Sequence, residues 1–202
     1  FADIDKRRSL VEEIFNSITH GLGAVAGIVG LTIGSLTLVS QASFKVGFLI
    51  YAATLILLMT ISSLYHALIF SRAQKVFRIL DHSSIYILIA GSFTPFVIRL
   101  FDGWMQIASL TLIWILAAVG ITLVAVFPNL NKRVGPLLYI GFGWLGVLLI
   151  PKLSHLQPSI LWLLMIGGVL YSIGVLLLVS KRPFMHMAWH LFVIGAAIMH
   201  YF

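Results

Sequence analysis

The 202-residue chain has no cysteine. Disulfides, thiolate metal sites and cysteine nucleophiles are therefore excluded. Charge is also scarce: 9% of the residues are Asp, Glu, Lys or Arg, against about 25% in soluble domains. Long polar stretches are missing too, and no joint between apolar runs has room for a soluble domain. What is abundant is apolar side chain, at 60%. That balance belongs to a polytopic membrane protein. The net charge of +7 does not point to nucleic acid. Its basic residues sit in short clusters between apolar runs, where topology signals lie.

A membrane-spanning helix needs about 20 apolar residues. Seven runs approach that length, at roughly 18–40, 47–70, 79–101, 104–127, 134–151, 159–179 and 184–202. The first is too long for the apolar core of a cleavable leader. Turn or charge signals separate the runs: Gln41 to Lys45, Ser71 to Arg78, Asp102-Gly103, Pro128 to Arg133, Lys152 to Pro158 and Ser180 to Pro183. Open sheets are not tolerated in lipid, so the expected fold is all-α, one seven-transmembrane helix bundle over residues 1–202. Ten basic residues fall on one side: Lys6, Arg7, Arg8, Arg72, Lys75, Arg78, Lys132, Arg133, Lys181 and Arg182. Lys45, Arg99 and Lys152 fall on the other. The positive-inside rule then puts the N-terminus in the cytoplasm and the C-terminus outside. This orientation argues against the G-protein-coupled receptor class.

Small residues mark expected close helix approaches: Gly23/Gly27, Gly30/Gly34, and Gly141, Gly143 and Gly146. Pro95 is expected to kink the third helix. The five Trp read as interface anchors.

The chemistry concentrates at one predicted depth. His186 and His190 are four residues apart, so on a helix they share a face about 6 Å apart along the axis. Ser62 and His66 close the second run, and Asp81 and His82 are placed in the first turn of the third. Ionisable groups inside a span usually face the bundle interior or a wet cavity. His66, His186 and His190 are thus read as a shared metal site. Three imidazoles without a thiolate suit zinc, with water in the fourth position; iron and copper remain compatible with these ligand types. Asp81 is read as a fourth ligand or as the base that takes a proton from water. A helix cap and a partner for Arg78 are its other readings. Ser62 assists a carbonyl oxygen, orients Asp81 or bonds its own backbone. His82 is assigned to the interface. Glu13, Asn16 and His20 share one face and read as a polar packing network. His155, in an outer loop, and His200, about 15 Å along the axis from His190, are excluded from the cluster.

In order along the chain stand Glu13-x-x-Asn16-x-x-x-His20-Gly21, Ser62-x-x-x-His66, Asp81-His82-x-x-Ile85-Tyr86, Gly91-x-x-Thr94-Pro95 and His186-x-x-x-His190. This set resembles the progestin and adipoQ receptor (PAQR) superfamily, most of all its bacterial hemolysin III branch. The resemblance implies seven helices, a cytoplasmic N-terminus, and zinc on His66, His186 and His190. It also implies that Asp81 approaches the zinc through water and that Ser62 lies beside it. In the adiponectin-receptor branch the site is linked to ceramide hydrolysis. The long soluble N-terminal region of those receptors has no counterpart here, so adiponectin binding is not transferred.

The expected function is zinc-dependent, ceramidase-like hydrolysis of a lipid amide or ester in a bacterial cytoplasmic (inner) membrane. Membrane lipids are the expected partners, with no nucleic acid and no soluble protein partner evident. Two alternatives stand beside it: a lipid or stress sensor with structural zinc, and a lytic or pore-forming protein. No ring of charges or repeated polar stripe marks a pore lining.

Overall fold

Lipid offers no partner to a bare N–H or C=O, so each apolar run must satisfy its backbone internally. The computed structural model shows that outcome. It describes residues 2–37, 42–153 and 157–202, and among these there is helix but no strand. Side chains are described for residues 10–37, 44–131, 134–148, 151–152 and 157–202. Gln41 and His155 lie outside the described residues, as do the side chains of Lys6, Arg7, Arg8, Lys132 and Arg133. The helices are α1 (Ala2–Thr37), α2 (Ala42–Ala67), α3 (Gln74–Leu100), α4 (Gly103–Val126), α5 (Pro128–Gly143), α6 (Ile150–Leu153), α7 (Pro158–Leu178) and α8 (Met185–Tyr201). A 3-10 segment, Trp144–Leu149, joins α5 to α6.

Five helical stretches are long and apolar enough to cross a membrane: Leu10–Thr37, Phe44–Ala67, Gln74–Leu100, Gly103–Val126 and Pro158–Leu178. Val134–Leu148 and the 17-residue α8 are apolar but shorter. Large apolar side chains face outward along the long helices, among them Leu22, Val25 and Leu36 on α1 and Ile107, Leu112 and Ile115 on α4. In water such a surface would be untenable. The protein is an integral membrane protein.

The helices follow one another around a ring, closed where α8 returns to α1. Gly30 makes room for the Tyr201 ring of α8, and the Tyr201 hydroxyl donates to the Gly30 carbonyl at 3.1 Å. Gly23 lies against Met59 and Ile194, and Gly34 against Phe48. These are the close approaches expected of the α1 glycines. Gly141 and Gly143 behave differently: a Cβ at either would meet nothing within 4 Å. Gly146 does pack, against Phe93.

Four expectations are corrected. Helix α3 begins at Gln74 rather than 79, because Lys75 and Arg78 extend the helix beyond the apolar run instead of ending it. Asp81 therefore stands two turns inside α3, not in its first turn, and cannot cap it. The fifth run is not one helix over 134–151. Its helix starts earlier, with Pro128 preset at the first position, and gives way to 3-10 turns after the glycine-rich Gly141-Phe142-Gly143. Trp104 and Trp162 are exposed, as anchors are, but Trp189 is buried against Gly174, and the Trp144 indole is turned inward to bond Ser172. Separately from these corrections, Pro95 is buried inside α3, and Gly47 of α2 packs close against it.

Candidate metal centre

One end of the bundle gathers the start of α3, the end of α2 and the start of α8. His66 occupies the last turn of α2, and His186 and His190 the first two turns of α8. The entry to α8 is unusual. Phe184 adopts the left-handed conformation, φ 59°, which costs a non-glycine residue about 1–2 kcal/mol. Its ring packs edge-on against Phe15 of α1, and this contact helps hold the turn that sets the rotation of α8.

The three imidazole centroids lie 5.0 Å (His66–His186), 5.1 Å (His66–His190) and 4.7 Å (His186–His190) apart. Each ring offers one nitrogen to a common point, and these atoms all lie within 4.8 Å of one another. Such a triad can hold a metal ion. The remaining nitrogens show how the rings are fixed. Glu13 of α1 accepts a hydrogen bond from His66 Nδ1. The Asn16 carbonyl oxygen and the Thr19 hydroxyl each lie 3.2 Å from His190 Nδ1. A proton on Nδ1 leaves the Nε2 lone pair free for a cation. His66 Nε2 is indeed buried without a protein partner. Carboxylate–histidine–metal and carbonyl–histidine–metal pairings are how protein metal sites fix tautomer and ring orientation. The donor set therefore fits a divalent ion.

Asp81 and Ser62 line the wall beside the triad. Both are buried, and Ser62 neighbours the Asp81 carboxylate. His82 is half-exposed. Its Nδ1 lies 2.9 Å from the Arg78 carbonyl oxygen and 3.4 Å from Asp81 Oδ2. His82 is thus a rim residue that also touches Asp81.

The Glu13, Asn16, His20 face does more than pack. Beyond the Glu13 contact, the His20 ring stacks on His190 at 3.6 Å and 16°, with both its nitrogens buried and unpartnered. The sequence placed these residues on one helix face but gave no sign that the face would back the histidines. Thr19 was not singled out at all; its only signal was its position beside His20.

His186 and His190 line one end of a cavity of about 490 Å³ bounded mainly by α3, α5, α7 and α8. Apart from the polar groups at its ends, the lining is apolar, with Leu88, Ile89, Phe93 and Val193 among the walls. The volume is that of a small-molecule or acyl-chain site.

The family model described as haemolysin-III related matches residues 8–201, nearly the entire chain. The chain belongs to this family. Hemolysin-3 of Bacillus cereus is 40% identical over 195 residues, covering 95% of this chain and 89% of that protein. The Hemolysin-3 homolog of Bacillus subtilis (strain 168) is 33% identical over 198 residues, covering 96% and 93%. Monocyte to macrophage differentiation factor of Homo sapiens is 29% identical over 198 residues, covering 95% and 82%. The resemblance carried by the motifs is therefore borne out. The triad and its Glu13 brace lie wholly inside the hemolysin-III match.

Proposed function

We propose that this hemolysin-III member is a zinc-dependent hydrolase of a lipid amide or ester. In this reading residues 1–202 form one seven-span domain in a bacterial cytoplasmic membrane, with the N-terminus inside and the C-terminus outside. The charge distribution supports that orientation, since ten basic residues flank the ends where the triad lies. The observation that carries the proposal is the juxtaposition of a braced three-imidazole cluster, a buried carboxylate and an apolar cavity. His66, His186 and His190 would hold the zinc. Bound there, zinc supplies a Lewis acid that polarises a carbonyl and makes water more acidic.

The chain's own residues supply the rest. The cavity walls take the acyl chain and exclude bulk water from it. Asp81 accepts the proton of the attacking water and returns it to the leaving amine or alcohol. Ser62 holds the Asp81 carboxylate in place and has a hydroxyl near the triad for the substrate oxygen. Membrane lipid is the substrate class, because the cavity walls between the helices are largely apolar.

The test is fatty-acid release from a panel of lipid amides and esters by purified, zinc-loaded protein. Turnover that Asp81→Asn abolishes while one zinc per chain remains supports the assignment. Absence of turnover across the panel with zinc in place rejects it. The triad also joins α2 to α8, and this favours a second reading, a sensor with structural metal. There His190→Ala would lower thermal stability while Asp81→Asn left every function intact. The name of the Bacillus cereus relative favours a third, lytic reading. Dye leakage from liposomes on adding the protein decides it.

A further inference from the structure

The cavity has a side opening remote from the triad. Among the described residues, four both line the cavity and stand exposed: Gly143, Val147, Trp162 and Met165. Gly143 is the last residue of α5, Val147 lies on the 3-10 segment, and Trp162 and Met165 lie on α7. The gap therefore runs between the end of α5 with its 3-10 extension and α7, and its rim is apolar. Helix α7 ends just before α8 begins at the triad, so Trp162, in the first turn of α7, marks the remote end. One side chain spans the gap. Trp144, the first residue of the 3-10 segment, donates its Nε1–H to Ser172 Oγ of α7 at 2.9 Å. Ser172 in turn donates to the Gly168 carbonyl oxygen at 2.8 Å, which leaves its own oxygen to accept. Gly168 leaves space for the indole, since a Cβ there would meet Trp144 Cζ2 at 4.0 Å. Trp144, Gly168 and Ser172 all line the cavity.

This fastening is built to give way. A 3-10 turn holds its backbone less well than an α-helix and often marks a hinge. Beside it, a Cβ at Gly141 or Gly143 would meet nothing within 4 Å, so the end of α5 has room to turn. A lone hydrogen bond between membrane segments is weak and breaks readily. Outside the rim lies the lipid-facing surface, where the matching occupant of an apolar gap is the acyl chain of a membrane lipid. We propose that Trp144 is the latch of this side opening. While the indole is bonded to Ser172 the gap stays narrow, and when the bond breaks an acyl chain passes from the bilayer into the cavity. The inference rests on reading the cavity as the acyl site, to which it adds an entrance. Trp144 touches no reacting atom; it governs how often a chain enters, not how tightly the chain is held.

Because the chain has no cysteine, access can be read from one introduced thiol. Ser92→Cys places it on the α3 wall of the cavity. The full zinc-loaded chain in lipid nanodiscs is treated with N-dodecylmaleimide, which reaches the protein from the bilayer. Trp144→Phe keeps a ring and removes the N–H, and Ser172→Ala removes the acceptor. Each is expected to speed labelling of the thiol about 3- to 10-fold. Ser172→Thr, which keeps a hydroxyl, should leave the rate where it was. Leu36→Cys, on the outer surface of α1, reports the supply of reagent and should be labelled equally in all backgrounds. Gly34→Ala, which crowds Phe48 at the α1–α2 contact, controls for general loosening and should not speed labelling. An unchanged rate in either Trp144→Phe or Ser172→Ala, whichever folds, overturns the latch and leaves the bond as packing only. Equal acceleration by Gly34→Ala overturns it too, and a thiol that no variant exposes to the reagent overturns the side opening itself. The hydrolase reading fails separately, on absence of turnover, without touching these rates.

Discussion

His66, His186 and His190 differ in what holds them. His66 leans on a carboxylate, Glu13, whereas His190 leans on a backbone carbonyl that no substitution removes. Glu13→Ala should therefore weaken metal binding about 10- to 100-fold, read by competition with a chromophoric chelator. Thr19→Val, which leaves the Asn16 carbonyl in place, should change it far less. His190→Ala should abolish stoichiometric metal, measured by elemental analysis of the purified protein. The triad was legible in the sequence because i, i+4 spacing and a shared depth need no tertiary knowledge. The bracing was not. Nothing in Glu13-x-x-Asn16-x-x-x-His20 says that its first member meets His66 and its last stacks on His190. Those contacts depend on how α1 is rotated against α2 and α8. Trp189 hides its burial for a related reason: an aromatic residue near a run end has the sequence signature of an anchor, and only the packing of Gly174 opposite it shows otherwise.

Among the helices, glycine has two different uses. At Gly91 a Cβ would run into Thr54 of α2, a β-branched side chain whose hydroxyl is tied to the Tyr51 carbonyl at 2.8 Å. Thr54 has little freedom to move aside. Gly91→Ala should lower stability by about 1–3 kcal/mol. At Gly141 a Cβ meets nothing, so Gly141→Ala should be neutral or stabilise slightly, by up to about 1 kcal/mol. Thermal unfolding of the two variants in the same detergent checks the contrast. Helix existence could be read from the apolar runs, but several helix ends could not. Lys75 and Arg78 marked a boundary for hydropathy, not for the backbone, which stays helical back to Gln74. The 3-10 turns at Trp144–Leu149 lie inside an unbroken apolar run, where periodicity carries no warning.

For the whole molecule, an ion held by the triad would link α2 to α8 and complete the ring of helices. A chelator should therefore lower the unfolding temperature. An ion present at about 100 times its dissociation constant contributes about 2.7 kcal/mol. Adding zinc back should restore the temperature, while His190→Ala should respond to neither treatment. The orientation is open to a clean test because the chain has no cysteine. With Ser71→Cys and Ser180→Cys, an impermeant maleimide should label inverted vesicles. With Asp102→Cys it should label intact cells. Labelling of all three from one side would contradict the seven-span arrangement.

The placement of the ligands also has a consequence for biosynthesis. His66 is made about 120 residues before His186, and α8 leaves the ribosome after the other described helices. Until α8 is made, the second helix carries His66 without its two partner imidazoles. Capture of a cation by the complete triad would therefore follow insertion of α8, and chains cut short before α8 would lack two of its three imidazoles. Possession of the ion would distinguish finished copies from aborted ones, a difference that membrane quality control could detect.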